Sequence, residues 1–196
     1  MSRALSVSLA LLVAILGFGC ASAPELTPQA QTSIQSLLSS VNKVSAQFDS
    51  AADALANVRD AWNTDPDAAI GAFSRELMAL ETAVGGATAP GDARPLSQWD
   101  GILKSVLDSQ TANATPEQKR ALESAFRGAQ SQLSRLRDSF APNYNRMIEL
   151  GAKLRESPSG ATVEALLPEL RRAVADSKNV SSRFNSFGDA LGALID

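Results

Sequence analysis

The chain contains no histidine, one cysteine, one tyrosine and only 5% aromatic residues in a length of 196. Without an imidazole there can be no Ser-His-Asp or Cys-His catalytic pair and no Glu-x-x-His di-iron set, and transition metals lose their commonest nitrogen ligand. No Walker-type or dinucleotide-type glycine motif occurs either; Gly85-Gly86 is an isolated turn signal. A formal net charge of -3 lacks the surplus of Lys and Arg that releases phosphate counterions, so nucleic acid is not an expected partner. No metal and no cofactor are expected. The carboxylate pairs Glu76/Glu81 and Glu164/Glu169 are five residues apart, which puts the two members on different sides of a helix and suits them poorly to paired acid-base work. The composition therefore points away from an enzyme.

What the chain does have begins at its amino terminus. Arg3 gives a positive start, Ala4 to Phe18 is an apolar run interrupted only by Ser6, Ser8 and Gly17, and no acidic residue precedes Glu25. Such a run is shorter than the roughly 20 residues of a transmembrane helix and reads as an export signal over residues 1–19. The sole cysteine, Cys20, follows in Leu16-Gly17-Phe18-Gly19-Cys20 and resembles the end of a bacterial lipoprotein signal, with small Gly19 before it and Ala21 after it. Gly17 stands three residues before the cysteine, where the pattern carries leucine. Ordinary cleavage near Gly19-Cys20-Ala21, which would release a soluble exported protein, is the alternative. A lone cysteine in an exported chain has no intramolecular partner, which favours lipidation. Acylation of Cys20 with palmitate-type chains would anchor the protein, each buried methylene contributing about 0.8 kcal/mol. Resemblance to lipoproteins of two-membrane bacteria implies the outer membrane, because Ala21 replaces the Asp that favours inner-membrane retention. Residues 20–27 form the lipidated start and a short tether, and residues 28–196 the folded part.

From Thr27-Pro28, a cap followed by proline at the first helical position, apolar residues recur three and four apart. Ile34, Leu37, Val41, Val44, Phe48, Ala51, Leu55, Val58 and Trp62 form this seam. A period of 3.5 predicts a long helix in coiled-coil-like packing, ending near Asn63. Asp65-Pro66 repeats the start signal two or three residues later, which predicts an antiparallel hairpin, and Ile70, Phe73, Leu77, Leu80 and Val84 carry the second stripe up to Gly85-Gly86. After the Gly-, Ala- and Pro-rich stretch 85–95, Leu96, Trp99, Leu103, Val106 and Leu107 mark a shorter helix.

Thr115-Pro116-Glu117-Gln118 has the form of a capping box. The stripe of Leu122, Phe126, Ala129, Leu133, Leu136 and Phe140 resumes in register at Met147, Leu150 and Leu154, so one helix of about forty residues, kinked at Pro142, is expected with Asn143 on its inner side. A last helix starts near Ala161 or Thr162 and carries Val163, Leu167, Leu170 and Val174, then Val180, Phe184, Phe187, Leu191 and Leu194, with an apparent slip of phase between Val174 and Val180. Pro168 is expected to bend its start, and Gly188 and Gly192 to weaken its end near Asp196. The fold class is all-α: an elongated antiparallel helical bundle with coiled-coil-like packing, long helices and one broken shorter helical segment.

The ordered set Leu96, Trp99 and Leu103 in a Leu-x-x-Trp-x-x-x-Leu context, the long helix with internal Pro142 and the alanine-rich helix after it resemble a family of bacterial α-helical lipoproteins whose domain has no known function. The resemblance spans residues 20–196 and implies a lipidated helical protein; residues 28–64 lack the basic opening of the family. It implies no activity.

Charge is unevenly placed. Residues 65–110 hold seven acids against three bases, and residues 116–156 hold eight bases against five acids. Either neighbouring helices pair through complementary faces, or the bases form an outward surface for an acidic partner or anionic lipid. Arg127, Arg135 and Arg137 are the candidate interaction residues, together with the loop 85–95. The expected function is a membrane-anchored structural or protein-interaction module with an envelope protein as partner. The alternative is a carrier holding a small apolar ligand between its helices, and a connected apolar void would favour it.

Overall fold

The computed structural model describes residues 25–85 and 94–195, and within them every regular element is a helix. In chain order these are α1 (Pro28–Asp60), α2 (Pro66–Ala83), α3 (Arg94–Thr111), α4 (Pro116–Glu156) and α5 (Gly160–Gly192). The expected all-α bundle is what forms. Cys20, the export signal and most of the 85–95 stretch lie outside the described residues.

α1, α2, α4 and α5 each start where a side chain satisfies orphan amides. Thr27 Oγ1 accepts from the Ala30 amide at 3.4 Å, and Asp65 Oδ1 from the Ala68 amide at 3.2 Å. At α4 the box is reciprocal: Gln118 N donates to Thr115 Oγ1 at 3.3 Å and Thr115 N donates to Gln118 Oε1 at 2.9 Å. Stops are equally local. The chain leaves α2 at Gly85 with φ 102°, a left-handed conformation that a side chain would strain.

The helices form four columns. α1 is one, α4 and α5 are two more, and the broken segment, α2 and then α3, makes the fourth by running antiparallel to α1. Gln47 Nε2 donates to Glu76 in α2 at 3.0 Å, and Trp99 Nε1 in α3 donates to Ser40 Oγ at 3.2 Å. α4 returns past α3 and then α2, and α5 descends between α4 and α1. At one end Gln110 Oε1 accepts from the Thr27 amide at 3.0 Å while its Nε2 donates to Thr27 Oγ1 at 2.9 Å, so the start of α1 is tied to the end of α3. Leu26 is buried there and plugs the same end. At the other end, Gly160 lies so close to the Trp62 carbonyl that an added Cβ would sit 2.8 Å from it. The two poles are therefore the tether pole, with Leu26 and the α3–α4 turn, and the far tip, with the α1–α2 and α4–α5 turns. At 1.5 Å per residue, α1 spans about 50 Å and α4 about 60 Å.

The apolar seam is buried as its spacing requires, from Ile34 to Val58 in α1 and from Leu122 to Leu154 in α4. At mid-bundle Phe184 is the hub of an aromatic cluster, with ring centroids 5.9 Å from Phe48, 5.8 Å from Phe140 and 6.5 Å from Trp99. α4 is continuous through Pro142, as the unbroken phase implied. Pro142 is on the solvent side, so the Asp138 carbonyl that loses its helical donor faces water.

Three expectations are corrected. α1 ends at Asp60, and the connection to α2 is five residues, 61–65, because the chain turns at Ala61 and leaves Trp62 only half-buried. α5 begins at Gly160, since Ser159 caps it by accepting from the Thr162 amide at 3.2 Å. The slip between Val174 and Val180 does not exist: Ser177 holds the missing seam position, 2% exposed. Its partner is Asn143, also 2% exposed, which donates through Nδ2 to the Ala173 carbonyl at 3.0 Å and lies 3.2 Å from Ser177 Oγ. α5 ends at Gly192, with Leu191 fully buried and Gly188 beside Leu38 of α1, and Asp196 lies outside the described residues. Leu107, Leu167 and Leu194 sit on the margins of the core, half-buried.

Candidate functional site

Arg127 and Arg135 project from the outer side of α4, both exposed. Eight residues of helix separate them, about 12 Å of rise and two full turns plus about 80°, so they lie within one outward quarter of the helix surface. Arg120, seven residues before Arg127 and likewise exposed, extends the same line. Arg137 departs from it: although exposed, it reaches sideways, with Nη2 3.5 Å from the Leu96 carbonyl at the start of α3. The three arginines singled out in the sequence thus divide into two outward residues and one on the flank.

The ion pairs explain which bases remain available. Arg146 pairs with Asp176 and Lys153 with Glu169 at 2.8 Å, both across the α4–α5 contact. Lys119 approaches Glu123 at 4.0 Å along its own helix. Among the described residues, no ion pair joins 65–110 to 116–156, and Arg120, Arg127 and Arg135 belong to none. Complementary pairing does occur, but between α4 and α5 and in the tip-side half of α4. The partners of Arg146 and Lys153 lie outside the acidic segment, so a segment count of charge could not find them. Exposed pairs of this type each add little to stability, typically 0 to about 1 kcal/mol.

The paired carboxylates of the sequence do not act together. Glu76 accepts from Gln47, Glu169 meets Lys153, and Glu81 lies near Tyr144. Among the described residues, no three metal-ligating side chains converge. At the tip Arg59 donates twice to Asp60, at 2.6 Å each, and this hydrogen bonding holds the Asp60 carboxyl below its usual range.

Tyr144 stacks on Phe140 with centroids 5.4 Å apart and rings 13° from parallel. Burial, with a smaller contribution from the negative charge of Glu81, pushes its hydroxyl up to about 12. As the only tyrosine, it can be titrated by phenolate absorbance without interference from another phenol. The native protein should titrate near 12 and the denatured chain near the unperturbed value of about 10. Because the folded state holds the proton more tightly, stability should be unaffected below pH 10 and should fall as pH rises from there through 12. A native midpoint at 10 would put this ring in water.

Hollows lie on the outside, between neighbouring helices. A groove of about 510 Å³ runs between α1 and α5 past Leu38, Asn42, Ser45, Asn185 and Gly188. Another, of about 310 Å³, lies at the tether pole between α1 and α3 and is walled by Gln29, Ser33, Ser105 and Ser109. Both are open and lined largely by hydroxyl, amide and small side chains. The apolar space between the columns is occupied by the aromatic cluster and by the leucines above and below it. No described helix is long and apolar enough to cross a membrane.

Comparison with protein-family models, with curated proteins and with solved structures gives no match to this chain.

Proposed function

We propose that the protein is a lipid-anchored module of the bacterial cell envelope, held by acylated Cys20 and acting through contacts of its helical surface with an envelope protein rather than through catalysis. The observation that carries this reading is the position of the sole cysteine. It stands directly after an apolar export-type run and only six residues before Leu26, where the packed body begins. The sequence resemblance to α-helical lipoproteins of unknown function agrees with it, and Ala21 after the cysteine favours the outer membrane, with the bundle facing the periplasm. A filled core supports a rigid spacer over a carrier. The seam positions between the columns are filled and buried, mostly by leucine, phenylalanine, valine, isoleucine and alanine, and the two grooves described above are lined largely by polar and small side chains, which suits an apolar cargo poorly.

The test is fractionation with mass analysis of the native protein. Wild type should sediment with membranes and yield an amino-terminal peptide starting at Cys20 and carrying acyl chains, and Cys20→Ser should leave the membrane fraction or accumulate as uncleaved precursor. Wild type found wholly in the soluble fraction with an unmodified thiol would refute the anchor.

A further inference from the structure

We infer that the outer face of α4 is a docking surface for anionic lipid headgroups, so that the bundle lies along the membrane instead of standing on it. This rests on the anchor proposed above and adds an orientation to it. Three observations support it. Arg120, Arg127 and Arg135 form one exposed line, spaced seven and eight residues apart, over about 22 Å of helix. Among the described residues none of the three is engaged by a carboxylate, whereas Arg146 and Lys153, further along the same helix, are neutralised by α5. The line also starts at the correct pole: Glu25 and Thr27 border the same groove as Gln118 and Leu122, so the tether leaves the body beside the first turns of α4.

Tether length makes the placement stringent. Five residues separate Cys20 from Leu26, an extended reach of roughly 18 Å. Anchored this closely, the body can pivot about its tether pole, and the side that settles is the one with favourable charge. The outer side holds Arg120, Arg127 and Arg135, with Arg137 reaching to its flank and the exposed Asp138 one turn beyond Arg135, in a chain that is acidic as a whole. The contact is with headgroups and not acyl chains, because the exposed large apolar side chain of the body, Met78, is on α2.

The test uses residues 20–196, which contain the whole packed body, coupled through Cys20 to maleimide-bearing lipid in a supported bilayer, with layer height read by neutron reflectivity. Chemical coupling makes the measurement independent of acylation in the cell. On a bilayer with about one-third phosphatidylglycerol at low salt, wild type should form a layer of roughly 20 to 25 Å, two helix diameters. In 0.5 M salt, or on a purely zwitterionic bilayer, it should rise toward the 60 Å length of α4, since exposed charges are screened within a few ångströms at that strength. Arg120→Gln with Arg127→Gln and Arg135→Gln should give the tall layer at low salt while helicity by circular dichroism is unchanged. A tall wild-type layer on the anionic bilayer, or a triple variant that stays flat there, would overturn the inference. So would a tall wild-type layer combined with arginine-dependent capture of soluble polyglutamate, which would assign the face to an acidic protein. An unacylated Cys20 in protein from cells would instead strike the anchor itself and leave these heights as measured.

Discussion

Phe184→Ala should destabilise the protein by roughly 3 to 5 kcal/mol, read as a lowered midpoint of urea unfolding with an unchanged slope. The ring meets Phe48 from α1, Phe140 from α4 and Trp99 from α3, so one truncation removes contacts with three columns at once. Aromatic pairs contribute about 0.5 to 1.5 kcal/mol beyond their burial, and the vacated volume is walled by rigid rings that cannot easily collapse into it. Met78→Ala, on the exposed side of α2, is the matched control and should change stability by less than about 0.5 kcal/mol. Similar values for the two variants would mean that the columns do not meet at Phe184.

Asn143→Asp should be as costly at neutral pH, about 3 to 5 kcal/mol, although the two side chains have nearly the same shape. The native amide donates to the Ala173 carbonyl and, through its oxygen, faces the Ser177 hydroxyl. An ionised carboxylate there keeps the second contact but turns an oxygen toward the carbonyl of Ala173, with almost no water, while the base one turn on, Arg146, is already paired with Asp176. The protonated acid restores the missing donor. Burial therefore raises the folded pKa of the new carboxyl above its unfolded value. The variant should be nearly as stable as wild type below about pH 4 and should lose stability as pH rises through the folded pKa. Unfolding midpoints taken from pH 4 to pH 8 decide the matter, and a gap from wild type that stays constant over that range would show that the site is wet. Asn143→Leu is the complementary variant. With no charge to strand and Ser177 still able to donate to Ala173 at 2.8 Å, it should cost far less than the aspartate.

The periodic parts of this chain were legible because burial and spacing are the same fact seen twice. A seam that alternates three and four residues has one way to be covered, and Ile34 through Val58 are covered that way. Pro142 was readable for the same reason. The phase on either side of it agreed, and a proline on the outer face of a helix removes a hydrogen bond that water can replace. What failed was polar. Ser177 occupies a core position without looking apolar, and only its partner Asn143, already assigned to the inner side, gave a clue that a hydroxyl could be accommodated opposite. The apolar spacing starts the last helix at Ala161 or Thr162, because nothing in that spacing marks Ser159 as its cap. The surface was least legible. Segment charges pointed to α4, but which of its bases are neutralised depends on side chains from α5 more than ten residues away in sequence, as with Lys153 and Glu169.

The pairing of α1 with α5 has a kinetic consequence. Asp49 accepts from Ser181 across a separation of 132 residues, whereas α1 meets α2, and α4 meets α5, through short turns. Hairpins of neighbouring helices close small loops and form early, but the bundle is sealed only when the first helix finds the last, and that loop spans most of the chain. During synthesis one flank of α1 therefore waits, uncovered, until the final helix has emerged. If the chain is exported as proposed, it would gain time from this arrangement, since its last-made segment withholds the closing contact.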